Sequence, residues 1–269
     1  MSSDAFIEFD RVTFGYDSGR TILDDISLRF PRGKVSTILG GSGCGKTTML
    51  RLIAGVHAAR RGRIVFDGEE LHASDKAQLL RLRRRLGMLF QFGALFTDLT
   101  VFENVAFPLR ERLRLPESMI RDIVLMKLHA VGLRGAASLR IAAVSGGMAR
   151  RIALARATAL DPELILYDEP FAGLDPIAMG VTANLIRKLN DTTGATSIVV
   201  SHDVQECFAI CDWTCLMAAG GRVVAQGTPG ELEASTDPEV RQFIRGEPDG
   251  PVRFHYPAPP LAVELGVAR

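Results

Sequence analysis

The sequence predicts an α/β protein with a mainly parallel sheet, and three observations lead to this prediction. Short apolar runs alternate with helical patterns along most of the chain, as expected where helices connect parallel strands. One of these runs, residues 35–39, leads through a glycine-rich loop into a helix predicted to start at Thr48. From Phe92 to Ala143 strand signals are few, which indicates a helical insertion in the α/β framework.

In the part of the chain before the insertion, turn signals separate the predicted elements. The first strand ends at Gly15-Tyr16, the segment 31–34 turns the chain into the strand of the glycine-rich loop, and Asp67-Gly68 closes a short strand. The predicted strands are 6–16, 26–30, 35–39, 63–68 and 86–90, and the predicted helices are 48–54 and 79–86. The second helix carries Arg81, Arg83, Arg84 and Arg85, a basic run that favours a solvated face over a nucleic-acid surface.

The insertion and the elements after it follow helical and then alternating patterns. Within the insertion, short helices and loops are predicted at 101–109, at 116–131 and around 133–139. After it, the predicted helices are 148–160, 176–190 and 204–211, and the predicted strands are 164–167, 196–200, 213–217 and 222–225. After Gly246 the composition turns to Pro and Gly, so this tail is predicted to be neither regular helix nor central strand. We therefore expect one domain over 1–245, with the insertion at about 92–145, and a separate tail over 246–269.

Composition places the chain among ordinary globular proteins. Its 269 residues are 47% hydrophobic and 23% charged, and the net charge of +1 gives no global field for nucleic acid or membrane. The N-terminus lacks a secretory signal pattern, and there is no run of about 20 apolar residues that would span a membrane. The cysteines are expected to be small buried hydrophobic residues rather than a metal cluster, which suggests a reducing compartment. They are Cys44, Cys207, Cys211 and Cys215.

The glycine-rich loop fits the phosphate-loop pattern G-x-x-x-x-G-K-[ST], with Gly40 and Gly45 as its fixed glycines. Glycines let the backbone fold around an anion, and the helix that follows adds N–H donors and the positive end of its dipole. Lys46 is predicted to reach the β- and γ-phosphates, and the Thr47 hydroxyl is predicted to bind Mg²⁺. The residues expected to contact a nucleotide here are Gly40, Gly41, Ser42, Gly43, Cys44, Gly45, Lys46, Thr47 and Thr48.

Three further segments carry candidate chemistry. The apolar run 164–167 ends in Asp168, which suits Mg²⁺, and in Glu169, which suits a general base for an attacking water. The turn Ser145-Gly146-Gly147 precedes a helix and predicts either a second anion site, which could complete the site of another chain, or a plain helix cap. His202 follows a predicted strand; it could bond a γ-phosphate, although an isolated histidine is more often structural.

Together these motifs resemble the ATP-binding-cassette (ABC) ATPase family over nearly the whole chain. The glycine-rich loop resembles the Walker A motif, Gln91 the Q-loop, and Ser145-Gly146-Gly147 the signature. Residues 164–169 resemble the Walker B motif with its catalytic glutamate, Gly173-Leu174-Asp175 the D-loop, and His202 the switch histidine. Tyr16 stands where the family stacks an aromatic ring on adenine. The resemblance implies a P-loop (RecA-like) core, an antiparallel β subdomain and an inserted helical signature subdomain.

The resemblance also implies the roles of particular residues. Glu169, His202 and Gln91 would take part in catalysis, and Thr47, Gln91 and Asp168 would hold Mg²⁺. ATP would lie between the phosphate loop of one subunit and the signature of the other in a head-to-tail homodimer, with Asp175 also near it. Met148 stands where the family signature usually ends in Gln, a change that leaves the backbone donors of Ser145–Gly147 in place.

A closer resemblance, to the ATPases of the Mla phospholipid transport systems of Gram-negative bacteria, rests on residues 91–105, 145–151, 168–177 and 250–257. It includes Met148. It implies a place at the cytoplasmic face of the inner membrane, held there by an integral permease. It also implies a small STAS-domain protein and a periplasmic lipid-binding protein of the mammalian-cell-entry type as partners, and a tail that docks on the other ATPase subunit. Composition alone is equally consistent with a disordered tail. The alternatives are transport of another solute, or a soluble ABC protein acting on nucleic acid or ribosomes.

Overall fold

The computed structural model describes residues 5–16, 19–252, 258 and 261–265, and contacts divide the chain into two units, 1–229 and 230–269. The strands are β1 (Ala5–Phe14), β2 (Leu23–Pro31), β3 (Val35–Gly40), β4 (Arg61–Phe66), β5 (Glu69–Glu70), β6 (Leu86–Leu89), β7 (Leu164–Asp168), β8 (Thr196–Ser201), β9 (Trp213–Ala218) and β10 (Arg222–Gly227). The helices are α1 (Lys46–Ile53), α2 (Lys76–Arg84), α3 (Val101–Arg112), α4 (Glu117–Ala130), α5 (Gly146–Ala157), α6 (Pro176–Thr193), α7 (Val204–Ile210), α8 (Pro229–Glu233), α9 (Pro238–Arg245) and α10 (Leu261–Glu264).

The larger sheet has six strands in the order β10-β9-β3-β8-β7-β6, and only β10 is antiparallel to its neighbour. All residues of β3, β7 and β8 are buried, as expected for parallel strands covered on both faces. The predicted α/β class with a mainly parallel sheet is confirmed. The carboxyl ends of β3, β6, β7 and β8 meet at one edge, where open α/β sheets bind their ligands.

A second, four-stranded antiparallel sheet has the order β2-β1-β4-β5. The hairpin of β4 and β5 turns at Asp67 and Gly68, both with positive φ (51° and 80°), as the Asp-Gly signal predicts. The apolar side chains of this sheet and of the larger one form a continuous core that also takes in α1.

The insertion consists of α3, α4 and two short 3-10 turns, Arg134–Ala136 and Ile141–Ala143. Thr100 and Glu103 form a reciprocal cap at the start of α3, which fixes where that helix begins. Asn104 is buried, and its side chain forms hydrogen bonds with the backbone of Phe96 and Thr100. These bonds fix the loop before α3 to the first turn of that helix. The predicted helical insertion is confirmed.

The described part of the unit 230–269 contains α9, α10 and most of α8, none of which the sequence analysis predicts. Asp237 caps α9 and Gly246 ends it in a left-handed conformation. The one-turn helix α10 follows Pro259-Pro260, so the prediction that the tail contains no regular helix is wrong there. Proline is tolerated just before or in the first turn of a helix, because the missing N–H has no intrahelical partner at that place. The aromatic segment 253–257, on which the tail-docking hypothesis rests, lies outside the described residues.

The cysteines and the longer helices can be compared with what the sequence predicts. Cys44, Cys207 and Cys215 are buried and Cys211 is partly buried, as expected for small hydrophobic residues. Of the helices in the described ranges, none has both the length and the apolar character that a membrane crossing requires.

Candidate functional site

The phosphate loop lies at the carboxyl end of β3, one of the two central strands of the larger sheet, and runs directly into α1. Gly45 has φ 105° and precedes α1, so that the helix begins at Lys46, two residues before the predicted start. Lys46 Nζ donates to the carbonyl oxygens of Gly40 (2.7 Å) and Gly41 (3.1 Å), which folds the loop around the ammonium group. Lys46 is only 7% exposed, so its charge is poorly screened by water.

The loop forms one wall of a cavity of about 400 Å³. The lining residues are Tyr16, Arg20, Ile22, Ser42, Gly43, Gly45, Lys46, Thr47, Thr48, Gln91 and Glu169. The structure therefore brings Tyr16, Gln91 and Glu169, which are far apart in sequence, to the predicted phosphate-binding residues. Arg20 and Ile22 belong to the same cavity and were not predicted; no motif marks them in the sequence.

Thr47 and Asp168 bring two side-chain oxygens together within this site. Thr47 Oγ1, in the first turn of α1, donates at 2.9 Å to Oδ1 of Asp168, the last residue of β7. Burial raises the pKa of Asp168, and the hydrogen bond from Thr47 opposes that shift only in part. Hydroxyl and carboxylate oxygens are hard ligands, so the pair suits a magnesium ion, whose charge would stabilise the ionised carboxylate.

Glu169 is held by three donors. Its Oε2 lies 3.0 Å from His202 Nδ1 and accepts from Ser201 Oγ at 3.4 Å, and its Oε1 lies 3.5 Å from Lys46 Nζ. Glu169 has φ 47°, a conformation that is costly for a side chain other than glycine. This turn at the end of β7 allows adjacent carboxylates to serve one site, although neighbouring strand residues face opposite sides. His202 is therefore placed at the site by its contact with Glu169.

Tyr16 lies beside the N-terminal turn of α1. Its hydroxyl is 3.1 Å from Thr48 Oγ1 and accepts from Arg51 Nη1 at 3.2 Å. Its ring packs edge-on against Phe14 and His57, with centroids 5.1 Å and 5.2 Å away, and remains about half exposed. An exposed aromatic face at the rim of the cavity is available for stacking.

The segment Ser145–Gly147 and Asp175 do not line this cavity. Ser145 Oγ accepts from Met148 N at 3.3 Å and caps α5, which begins at Gly146, two residues before the predicted start. Asp175 caps α6 by accepting from Ile177 N and Ala178 N, both at 3.0 Å. Both are exposed helix starts. The predicted site residues therefore fall into two groups. One belongs to the phosphate loop, lines the cavity or contacts a residue that lines it, as Asp168 and His202 do, and the other presents helix N-termini outside the cavity lining.

Two arginines of α5, the buried Arg150 and the partly exposed Arg156, also belong to the surroundings of the site, and no sequence pattern predicts their role. Arg150 donates to the carbonyl oxygens of Phe90, Gln91 and Ala172, and Arg156 donates to those of Gly93 and Ala94. Backbone carbonyl acceptors leave no trace in a sequence, so no motif could have identified these contacts.

Another cavity, of about 410 Å³, lies at the opposite, amino ends of β7 and β8. Its charged side chains are satisfied by salt bridges, Lys127 with Asp161 and Glu163 with Arg85. No phosphate-loop residue lines it. Its slightly larger volume therefore does not make it the better candidate for nucleotide chemistry.

Comparison with known proteins agrees with this geometry. The family described as "ABC transporter" matches residues 23–172. The "intermembrane phospholipid transport system ATP-binding protein MlaF" of Haemophilus influenzae is 53% identical over 259 residues, covering 96% of this chain and 97% of that protein. The protein of the same name from Escherichia coli K12 is 55% identical over 239 residues, covering 89% and 88%.

Solved structures support the same conclusion. The dimeric post-hydrolysis state of the ATP-binding cassette MJ0796, bound to ADP and inorganic phosphate, matches with a TM-score of 0.76 and 30% identity over 83% of this chain and 98% of that chain. These similarities cover the phosphate loop, both sheets and the helical insertion together. The chain therefore belongs to the ABC transporter family, as one of its ATP-hydrolysing subunits.

Proposed function

We propose that this chain powers the transport of phospholipid between the inner and outer membranes of a Gram-negative bacterium, from the cytoplasmic face of the inner membrane. The observation that carries the substrate assignment is the 53% identity, over 97% of its length, to a relative named as the ATP-binding protein of an intermembrane phospholipid transport system. Hydrolysis of ATP at the site described above supplies the free energy for this transport.

In the proposed hydrolysis, the backbone N–H groups of the phosphate loop and Lys46 hold the β- and γ-phosphates of ATP. Glu169 accepts a proton from water while the water oxygen attacks the γ-phosphorus. The bond from the γ-phosphorus to the bridging oxygen breaks, and ADP and inorganic phosphate are the products. His202, 3.0 Å from Glu169, orients that carboxylate and offers its second ring nitrogen to a γ-phosphate oxygen. Tyr16 stacks on adenine.

Thr47, Asp168 and Gln91 are the residues that would hold Mg²⁺. Thr47 and Asp168 are already paired at 2.9 Å, and Gln91 lines the same cavity with an amide oxygen that can serve as a further ligand. When bound, Mg²⁺ neutralises negative charge on the β- and γ-phosphate oxygens.

A second copy of the chain completes each site in this proposal. Ser145–Gly147 is an exposed helix start of the kind that binds anions, and it does not line the cavity of its own chain. In a head-to-tail dimer it binds the γ-phosphate held by the partner, with Asp175 close by. ATP then favours the closed dimer because its phosphate binds groups from both copies, and phosphate release removes that preference.

The membrane partner docks on an apolar surface next to Gln91. Phe92 is 90% exposed, and Phe90, Phe96 and Phe107 line a groove of about 360 Å³. Apolar patches of this kind mark interaction sites in soluble domains. We assign this surface to an integral permease, and the resemblance to Mla ATPases adds a STAS-domain protein and a mammalian-cell-entry-type lipid-binding protein to the complex.

The test is affinity purification of the full-length chain from its native membrane in mild detergent, with identification of the accompanying proteins and lipids. Recovery of a permease, the two further partners and phospholipid would support the proposal. A permease recovered with a solute-binding protein would move the substrate to another solute. Recovery of nucleic acid or ribosomes without a membrane protein would overturn the transport assignment.

A further inference from the structure

The segment after β6 is bound through its backbone by two arginines of α5. Arg150 Nη1 donates to the carbonyl of Phe90 at 3.2 Å and to that of Gln91. Arg156 donates to the carbonyls of Gly93 (2.6 Å) and Ala94 (2.8 Å). Four of the five carbonyls from residue 90 to residue 94 are thus held by one helix, and Gln91 sits within this set.

Arg156 also holds a conformation that the chain would not otherwise favour. Ala94 has φ 49°, in the left-handed region that costs a side chain other than glycine roughly 1–2 kcal/mol. The Arg156 guanidinium, which bonds the Ala94 carbonyl, also lies 5.8 Å from the centroid of the Phe96 ring. The ring therefore gives the guanidinium a second contact. The bend after Gln91 is therefore maintained by α5.

Arg150 reaches a third segment as well. Its Nη2 donates at 3.0 Å to the carbonyl of Ala172, which lies between Glu169 and Asp175 in the chain. Arg150 is 8% exposed and burial lowers its pKa. All three acceptors are backbone carbonyls, and a buried cation that lost them would be left without compensation. These contacts are therefore expected to persist when the site changes conformation.

We propose that Arg150 is a positioning residue that makes Gln91, the Glu169–Asp175 segment and the signature segment Ser145–Gly147 move together, with Arg156 as a second anchor. The signature segment forms the start of α5, the helix that carries both arginines. When the signature segment binds the nucleotide held by a second copy, α5 shifts. Because Arg150 of α5 bonds the Gln91 carbonyl, Gln91 then moves within this chain's own site. The inference rests on the roles proposed above for Gln91 and the signature segment.

A lysine cannot replace this function. The guanidinium presents donors on separate nitrogens in a fixed plane, whereas a lysine ammonium carries its donors on one nitrogen and is a compact point charge. The Arg150→Lys variant keeps the charge, but its single nitrogen cannot take the place of both Nη1, which bonds the carbonyls of Phe90 and Gln91, and Nη2, which bonds that of Ala172. Arg187→Lys is the matched control, because Arg187 also donates through two guanidinium nitrogens to separate groups, the carbonyl of Ile210 and the carboxylate of Asp191, but not to any of the three segments.

The test measures ATP binding and hydrolysis by the full-length chain purified with its membrane partners. The stoichiometry and Kd of a fluorescent ATP analogue give the fraction of competent sites, and phosphate release per competent site gives kcat. We expect Arg150→Lys to keep Kd within about threefold and to lower kcat at least about tenfold, since misplaced catalytic groups cost rate rather than binding. Arg187→Lys should leave both quantities unchanged. An unchanged kcat per competent site in Arg150→Lys would overturn the inference.

A double-variant cycle with Gln91→Ala separates coupling from general damage. If Arg150 acts through Gln91, adding Arg150→Lys to Gln91→Ala should lower kcat by no more than about threefold. An equal loss in both backgrounds would overturn the coupling, and undiminished hydrolysis by Gln91→Ala would overturn both the role proposed for Gln91 and this inference. If Arg150→Lys binds too little nucleotide to be assayed, Arg156→Lys decides, with a several-fold lower kcat expected and an unchanged kcat against the inference.

Discussion

Three glycines of the phosphate loop differ in what an added methyl group would meet, which predicts a graded series of alanine variants. At Gly40 (φ 155°) a Cβ would lie 2.5 Å from the carbonyl oxygen of Met217 and 2.7 Å from Cys44 Sγ. Gly40 pairs with Met217 across β3 and β9, so the backbone oxygen cannot move without disturbing the ladder. At Gly43 (φ 78°) and at Gly41 nothing lies within 4 Å, and only Gly43 has a left-handed backbone.

The magnitudes follow from these contacts. Gly41→Ala should be neutral or stabilising by about 0.5 kcal/mol, because alanine restricts only the unfolded chain. Gly43→Ala should destabilise by about 1 kcal/mol, the left-handed strain of 1–2 kcal/mol less that gain. Gly40→Ala brings a clash with fixed backbone in addition to an unfavourable φ. Overpacking of this kind costs about 1–3 kcal/mol, so the free energy of unfolding should fall by about 3 kcal/mol.

Urea unfolding followed by circular dichroism, with the slope m compared among the variants, measures these free energies of unfolding. The reasoning predicts the order Gly41→Ala, Gly43→Ala, Gly40→Ala, with the largest step at the end. Equal stability of the Gly40 and Gly41 variants would refute it, because the two sites then would not differ in steric freedom.

Three further predictions concern the site and its support. Burial raises the pKa of Asp168, so this carboxyl takes up a proton at a higher pH than an exposed aspartate does. As the pH is lowered, the Kd for ATP measured with Mg²⁺ should therefore begin to rise at a pH above the range in which ordinary aspartates titrate. The Kd measured without Mg²⁺ should not rise there. Tyr16→Ala should raise the Kd for ATP about five- to tenfold while Tyr16→Phe changes it little, since the ring rather than the hydroxyl stacks. Asn104→Ala removes three hydrogen bonds to the backbone of Phe96 and Thr100 and should cost about 2–4 kcal/mol, with faster amide exchange before α3.

Hydrophobic alternation and turn chemistry were sufficient to predict most of the larger sheet and the helical insertion. The sequence pattern predicts the starts of α1 and α5 two residues too late. Both helices begin with residues that are glycine or polar, Lys46-Thr47 and Gly146-Gly147, so the apolar period that identifies a helix begins only after them. For α9 a signal was present and unused: Asp237 and Pro238 start the helix and Gly246 ends it.

For the site, local motifs predicted the residues whose chemistry depends on their type, such as Lys46 and Glu169. The contact of Glu169 with His202 could be expected only from the order of the strands, since β7 and β8 are neighbours. The contacts of Arg150 and Arg156 depend on carbonyl groups that every residue has, so their partners follow only from the fold. The antiparallel order β2-β1-β4-β5 is likewise set by tertiary packing and was implied by family resemblance alone.

The most direct test of the account is phospholipid transfer by the complete complex in vesicles, with the unmodified chain compared with Glu169→Gln. The account predicts that the unmodified chain binds ATP, hydrolyses it and moves phospholipid. Glu169→Gln should bind ATP with a similar Kd, hydrolyse it at least about 100-fold more slowly, and move no phospholipid. Brisk hydrolysis by Glu169→Gln would contradict the role of Glu169. Vigorous ATP hydrolysis by the unmodified complex, with no phospholipid movement in either direction, would contradict the proposed transport function.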